Sequence, residues 1–145
     1  MHAPTIIKRR FMKNMGEPRI KVVAMPSDTN ASGNIFGGWI LSQIDLAGAI
    51  AAREIALERV VTISMKEVIF KNPVFVGDIL SCYAKVLSVG NTSINVEVEV
   101  ISQRTGEHGG FICQPVTRAN VTYVSVDKKG NKKIIDDEIK KLNGF

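Results

Sequence analysis

Between Phe36 and about Leu57 the sequence has no proline, few β-branched residues and many Ala, Leu and Ile, and this one stretch decides most of what the chain can become. Alanine and straight-chain residues lose little side-chain freedom in a helix, so the stretch predicts one long helix. Its apolar residues lie almost all round. Ile40, Ile44, Ala47, Ala51 and Ile55 form one stripe, and Leu41, Leu46, Ala49, Ile50 and Ala52 occupy much of the rest. A helix of this kind is buried on most sides. With 145 residues the chain makes one domain around a single core, so the covering material comes from that domain or from another copy.

The covering material reads as sheet. Arg19 to Met25 is a short strand candidate stopped by Pro26, and Ser27 to Gly33 is crowded with the Ser, Asp, Thr, Asn and Gly of turns. After Arg59 come four β-branched runs, Val60 to Phe70, Asp78 to Val89, Thr92 to Ser102 and Ile112 to Val126. Turn residues at Asn72-Pro73 with Gly77-Asp78, at Gly90-Asn91, and at Thr105-Gly106 with Gly109-Gly110 separate them. These connections are short enough for consecutive strands to be antiparallel neighbours. From Ser93 to Val100, Ile94, Val96, Val98 and Val100 alternate with Asn95, Glu97 and Glu99, which gives the sheet one wet face. The fold class that follows is α+β, a five-stranded antiparallel sheet curved around one long central helix. Five strands at about 4.8 Å make a sheet roughly 24 Å wide, against about 10–12 Å for the helix, so part of the sheet needs another partner. Self-association is the economical answer. Residues 1–18 form a basic arm outside the domain of residues 19–127. Residues 128–145 form a charged tail that ends in a short surface helix with acidic residues at its start.

The formal charge of +5 does not reside in the domain. Lys8, Arg9, Arg10, Lys13, Arg19 and Lys21 against Glu17 supply it, while residues 22–145 hold thirteen basic and thirteen acidic residues. A basic face for nucleic acid would have only a short leader to draw on, so nucleic acid is not expected as a partner. No apolar run approaches the roughly 20 residues that cross a bilayer, and no signal-peptide core is present. A cytoplasmic protein with no membrane partner is expected. Cys82 and Cys113 are far apart and in no metal-ligand spacing, which reads as two reduced thiols and no metal.

Asp45 is the anomaly, an acid midway along an apolar helix with Leu41, Ser42, Gly48 and Ala49 as its i±3 and i±4 neighbours. No local cation balances it. A carboxylate there finds a partner across the fold, caps the amides of another segment, faces a polar cavity, or is held for acid/base work. Gly33, Gly37 and Gly38 lie at or just before the start of the same helix. Amides at a helix start carry partial positive charge and can polarise a carbonyl, and glycine lets a ligand approach them; equally, such glycines serve turns and packing.

Ala24-Met-Pro-Ser-Asp-Thr-Asn-Ala-Ser-Gly-Asn-Ile-Phe-Gly-Gly-Trp-Ile-Leu-Ser-Gln-Ile-Asp resembles the signature of the bacterial acyl-CoA thioester hydrolases with a hotdog fold, and is also similar to the domains of brain acyl-CoA hydrolase. The likeness continues through Val60-Val-Thr and Phe70-Lys-Asn-Pro-Val-Phe-Val-Gly-Asp to Tyr123-Val-Ser-Val-Asp, about Arg19 to Asp127. It implies a domain in which two subunits join their sheets with active sites between them, and a trimer of such dimers. It also implies hydrolysis of acyl-CoA, with Asp45 as general base or nucleophile, Asn30 completing the site from the partner subunit, and the amides of Gly37 and Gly38 holding the thioester oxygen. No cofactor is implied, since coenzyme A is part of substrate and product. A thioester has a reactive carbonyl and a good leaving group, so a carboxylate, a water and amide donors suffice without a Ser-His-Asp triad. His2 and His108 lie in the arm and in a Gly-rich turn, away from any such role and unlike the histidine of the hotdog dehydratases. For the CoA end the candidates are Lys66, Lys71 and Arg118, with Thr92 and Ser93 as hydroxyl donors. Phe36, Trp39 and Phe70 are candidates for the acyl tunnel and equally for plain core. An acyl-CoA sensor without catalysis and a structural partner domain are the competing classes. Asp45 and Asn30 speak against the sensor, and the arm is too short for a helix-turn-helix.

Overall fold

The structure is a computed structural model that describes residues 16–145; the arm up to residue 15, with His2, lies outside the described residues. Strand β1 (Ile20–Val23) is followed by a single 3-10 turn at Pro26–Asp28 and by helix α1 (Gly37–Ala52). Four strands come next, β2 (Arg59–Lys66), β3 (Ile79–Val89), β4 (Ser93–Thr105) and β5 (Phe111–Val126), and then a short helix, α2 (Asp137–Leu142). All five strands form one antiparallel sheet in the order β1-β3-β4-β5-β2. The sheet curls round α1, which touches every strand of it.

Alternation in β4 works as a half-buried strand requires. Ile94, Val96, Val98 and Val100 face the helix and are fully buried, in a core shared with Ile40, Ile44, Ala47, Ala51, Ala119, Val121 and Tyr123. The opposite face is less wet than the sequence suggests. Glu99 is only 6% exposed, because its carboxylate pairs with Arg118 opposite it on β5, beside Tyr83 on β3.

Three expectations need correction. The helix stops at Ala52 instead of about Leu57, since Glu54 and Ile55 turn back through i→i+3 bonds to Ala51 and Ala52; this tucks Ile55 and Ala56 into the core. Strand β2 ends at Lys66, where Glu67 takes a left-handed φ of 61°, so Val68 to Phe70 leave the sheet. Consecutive strands β2 and β3 are not neighbours. Residues 67–78 cross from β2 to the far side of the sheet. Along the way the Lys71 amide donates to Val116 O (2.8 Å), Thr117 Oγ1 to Ile69 O (2.8 Å) and Asn72 Nδ2 to Pro115 O (2.7 Å). The end of that crossing is held by Asp78, whose Oδ2 accepts from Arg104 (2.8 Å) and from the Phe75 amide (3.0 Å), with the Arg104 guanidinium over the Phe75 ring.

Within one chain the helix is not covered all round. Ile40, Ile44, Ala47 and Ala51 are buried, but Leu46 is 54% and Ile50 38% exposed, and the adjoining edge strand β2 shows Val61 and a 60% exposed Ile63. One curled sheet covers one side of a helix, so apolar side chains stay open on α1 and on the edge strand β2. The C-terminal residues fold back on the domain. Lys133 N donates to Ser125 O, Ile135 N to Asn91 O, and Ile135 is buried in the main core; Asp136 caps α2 through its side chain.

Candidate active site

Asp45 sits halfway along α1 on the flank next to β2 and β5, and is half-buried. Its Oδ1 accepts from Thr62 Oγ1 at 2.7 Å and lies 3.2 Å from the hydroxyl of Tyr123. Among the described residues it has no ion-pair partner, and its Oδ2 has no hydrogen-bond partner. The carboxylate is therefore anchored through one oxygen by neutral donors and presents the other.

Strand register explains why both hydroxyls arrive there. Thr62 and Tyr123 are directly paired across β2 and β5, so their side chains leave the sheet on the same face, toward α1. Immediately after Thr62 the pairing slips at a bulge between Thr62 and Ser64, which turns the rest of β2 by one residue. Gly48, one helical turn beyond Asp45, leaves the space that the Tyr123 ring occupies; a Cβ there would stand 2.3 Å from the tyrosine hydroxyl. Burial, and then the neighbouring Asp45 charge and hydrogen bond, push the Tyr123 phenol above its usual range, so it remains a donor. Neither Tyr123, Thr62 nor Gly48 was assigned a role from the sequence. Residues Val60-Val-Thr and Tyr123 carried part of the family likeness, but only the β2–β5 register shows that they meet.

The helix start is built by the loop before it. Asn30 Oδ1 accepts from the amides of Ser32 (2.9 Å) and Asn34 (3.1 Å), which closes the loop and leaves its exposed Nδ2 without a partner among the described residues. The Phe36 amide donates to Asp28 O (3.1 Å), and Phe36, at the N-cap, offers no side-chain cap. The first amides of a helix have no partner inside it, so those of Gly37 and Gly38 are available. The rings of Phe70 and Phe36 lie 3.4 Å from where Cβ atoms of Gly37 and Gly38 would be, so aromatic walls flank the helix start at contact distance. Trp39 is half-buried and packs on the main core.

The other sequence candidates are scattered. Lys71 follows Phe70 on the crossover, near the helix start. Lys66 and Arg118 project from the sheet face opposite α1, and Arg118 is engaged by Glu97 and Glu99. Thr92 and Ser93 lie at the β3–β4 turn, where Thr92 O accepts from the Ser125 amide. His108 is exposed in the β4–β5 turn. A cavity of about 540 Å³ lies against the middle of β3, with Tyr83, Lys85, Glu99, Arg118 and Phe145 in its wall, and does not include Asp45. One chain thus carries an anchored carboxylate and a free helix start without enclosing either.

The chain belongs to the thioesterase superfamily, whose family pattern its residues 32–108 match. The acyl-CoA thioester hydrolase YciA of Escherichia coli (strain K12) is 41% identical over 123 residues, 85% of this chain and 93% of that protein. Cj0915 of Campylobacter jejuni, described as a hexameric hotdog fold thioesterase, is 67% identical and superposes with a TM-score of 0.88 over 91% of this chain and 99% of that one. An acyl-CoA hydrolase from Staphylococcus aureus, solved in complex with butyryl coenzyme A, coenzyme A and coenzyme A disulfide, is 29% identical with a TM-score of 0.70, over 85% of this chain and 77% of that one. Its structure is also known for an Asp-to-Ala and a Thr-to-Ala mutant, changed at positions seventeen residues apart, the separation of Asp45 and Thr62 here. The architecture is the hotdog fold.

Proposed function

We propose that this chain is an acyl-CoA thioester hydrolase in which Asp45 activates water against the thioester carbonyl, at sites shared between two copies of the chain. The observation that carries the reading is the carboxylate itself. It is held in a hydrophobic helix by two hydroxyls at one oxygen, and among the described residues no cation neutralises it and its second oxygen has no partner. Thr62 and the more distant Tyr123 hydroxyl fix the plane of the group through Oδ1 and leave Oδ2 to face a water. Water gives a proton to Oδ2 as its oxygen adds to the carbonyl carbon, and amides of the Gly37–Gly38 helix start receive the developing oxyanion. The carbon–sulfur bond then breaks, the CoA sulfur leaves with that proton, and a free carboxylic acid remains. No cofactor enters this chemistry.

Assembly follows from where the acid sits. Asp45 adjoins the exposed Leu46 on α1, and Thr62 lies on the adjoining edge strand beside the exposed Ile63. A second copy paired along β2 and α1 would cover these side chains and bring its own Asn30 loop and helix start toward Asp45. The protein is a homo-oligomer on this reading. The hexamer described for the Campylobacter jejuni protein supports a trimer of such dimers. Phe70 and Lys71 form the wall beside the helix start, with the lysine toward the CoA end. Cys82 and Cys113 are not joined in a disulfide, in keeping with a reducing cytoplasm.

Thiol release from a panel of short to long acyl-CoAs tests the reading. The wild-type protein turns over at least one of them, and Asp45→Asn, which keeps an acceptor for Thr62 and Tyr123, loses roughly 10²-fold or more with its assembly intact. Equal turnover by both would remove Asp45 from the mechanism, and no turnover on any substrate would favour a sensor.

A further inference from the structure

Tyr123 is one of the largest fully buried side chains of the core, yet its hydroxyl ends against the backbone and side chain of one residue. It donates to Asp45 O at 2.8 Å and lies 3.2 Å from Asp45 Oδ1. The phenol thus enters the helix at its Asp45–Ala49 step. It fits only because Gly48 has no side chain, since a Cβ there would be 2.3 Å from the hydroxyl and 3.0 Å from two ring carbons. Phenylalanine would fill the same core space without a polar atom to satisfy, so packing alone does not account for a tyrosine.

We infer that Tyr123 is a positioning residue for the reaction. Its hydroxyl, admitted through the gap at Gly48, holds Asp45 from the core side while Thr62 holds it from the sheet edge, so that Oδ2 points at the bound thioester. This inference rests on the assignment of Asp45 as the base and adds a residue that never touches substrate. Thr62 sits on the edge strand and is exposed within one chain, whereas Tyr123 is fully buried within it.

The test is a double-mutant cycle on the assembled protein, read as kcat and KM with an acyl-CoA that the wild type hydrolyses. Tyr123→Phe lowers kcat about tenfold, the upper end for one ordinary hydrogen bond, since the phenol proton is shared between Asp45 O and Oδ1, with KM within about twofold and assembly unchanged. In an Asp45→Asn background the same change lowers the residual rate by less than about twofold, because the carboxylate through which it acts is gone. Gly48→Ala keeps the hydroxyl but displaces the ring, and gives a similar kcat loss. Wild-type kcat in Tyr123→Phe, or a tenfold loss repeated in the Asp45→Asn background, overturns the inference and leaves Asp45 as the base. Full turnover by Asp45→Asn overturns both.

Discussion

Thr62→Val isolates the edge-side support of the carboxylate. Valine keeps the β-branched shape that suits β2, so the pairing with β5 and the bulge after residue 62 are undisturbed, and only the hydroxyl is lost. The lost contact is short, 2.7 Å from Oγ1 to Asp45 Oδ1, and charge-assisted. Hydrogen bonds to charged groups are worth about 1.5–3 kcal/mol, and the exposure of Thr62 in the single chain argues for the lower half of that range. A loss of about 1.5–2 kcal/mol in transition-state stabilisation is a fall of roughly 10–30-fold in kcat/KM. The assay is steady-state thiol release, with circular dichroism and molar mass confirming an unchanged fold and assembly. Thr62→Ser, which restores the hydroxyl, returns to within about threefold of the wild type. An unchanged kcat/KM in Thr62→Val, or a serine variant as poor as the valine one, would refute the reasoning that this hydroxyl orients the base.

Leu46→Glu places a charge on the open face of α1 without disturbing the single-chain core, because Leu46 is exposed there. Light scattering shows a smaller species with helix and sheet signals retained, and activity falls more than about 100-fold with the loss of the shared site; full activity in a monomer would contradict it. Burial pushes the Cys82 thiol up to about 12. At pH 8, well below that value, the reactive thiolate is a fraction of about 10⁻⁴, so iodoacetamide leaves Cys82 unmodified in the native protein and labels it after denaturation, as peptide mass mapping reports. Native labelling at the denatured rate would be the contrary result.

Much of this architecture is legible in the chain. The all-round apolarity of residues 36–57 calls for a wrapped helix, the alternation of Ile94, Val96, Val98 and Val100 marks the inner face, and Asp45 stands out because nothing nearby neutralises it. Strand order is not legible, because turn chemistry reports only that the chain reverses. That β2 crosses to the β5 edge depends on the left-handed turn at Glu67 and on bonds from residues 69–72 to 115–117, and no local pattern encodes these. Thr62 and Tyr123 were invisible as a pair for the same reason. A threonine and a tyrosine in strands are ordinary residues until the register sets them side by side. In the sequence Gly48 is only a neighbour of Asp45, since the tyrosine that needs its missing side chain lies far along the chain.

The pairing of β2 with β5 also imposes an order of events on a growing chain. Helix α1 and its acid leave the ribosome long before residues 120–126 are made, and until those residues arrive β2 has no neighbour and Asp45 neither tyrosine nor settled threonine. Because side chains alternate along a strand, a slip of one residue at this late junction would turn Thr62 outward while leaving a sheet of normal appearance. Turnover is then a sharper report of correct maturation than any spectrum of secondary structure, for it registers the last strand to close.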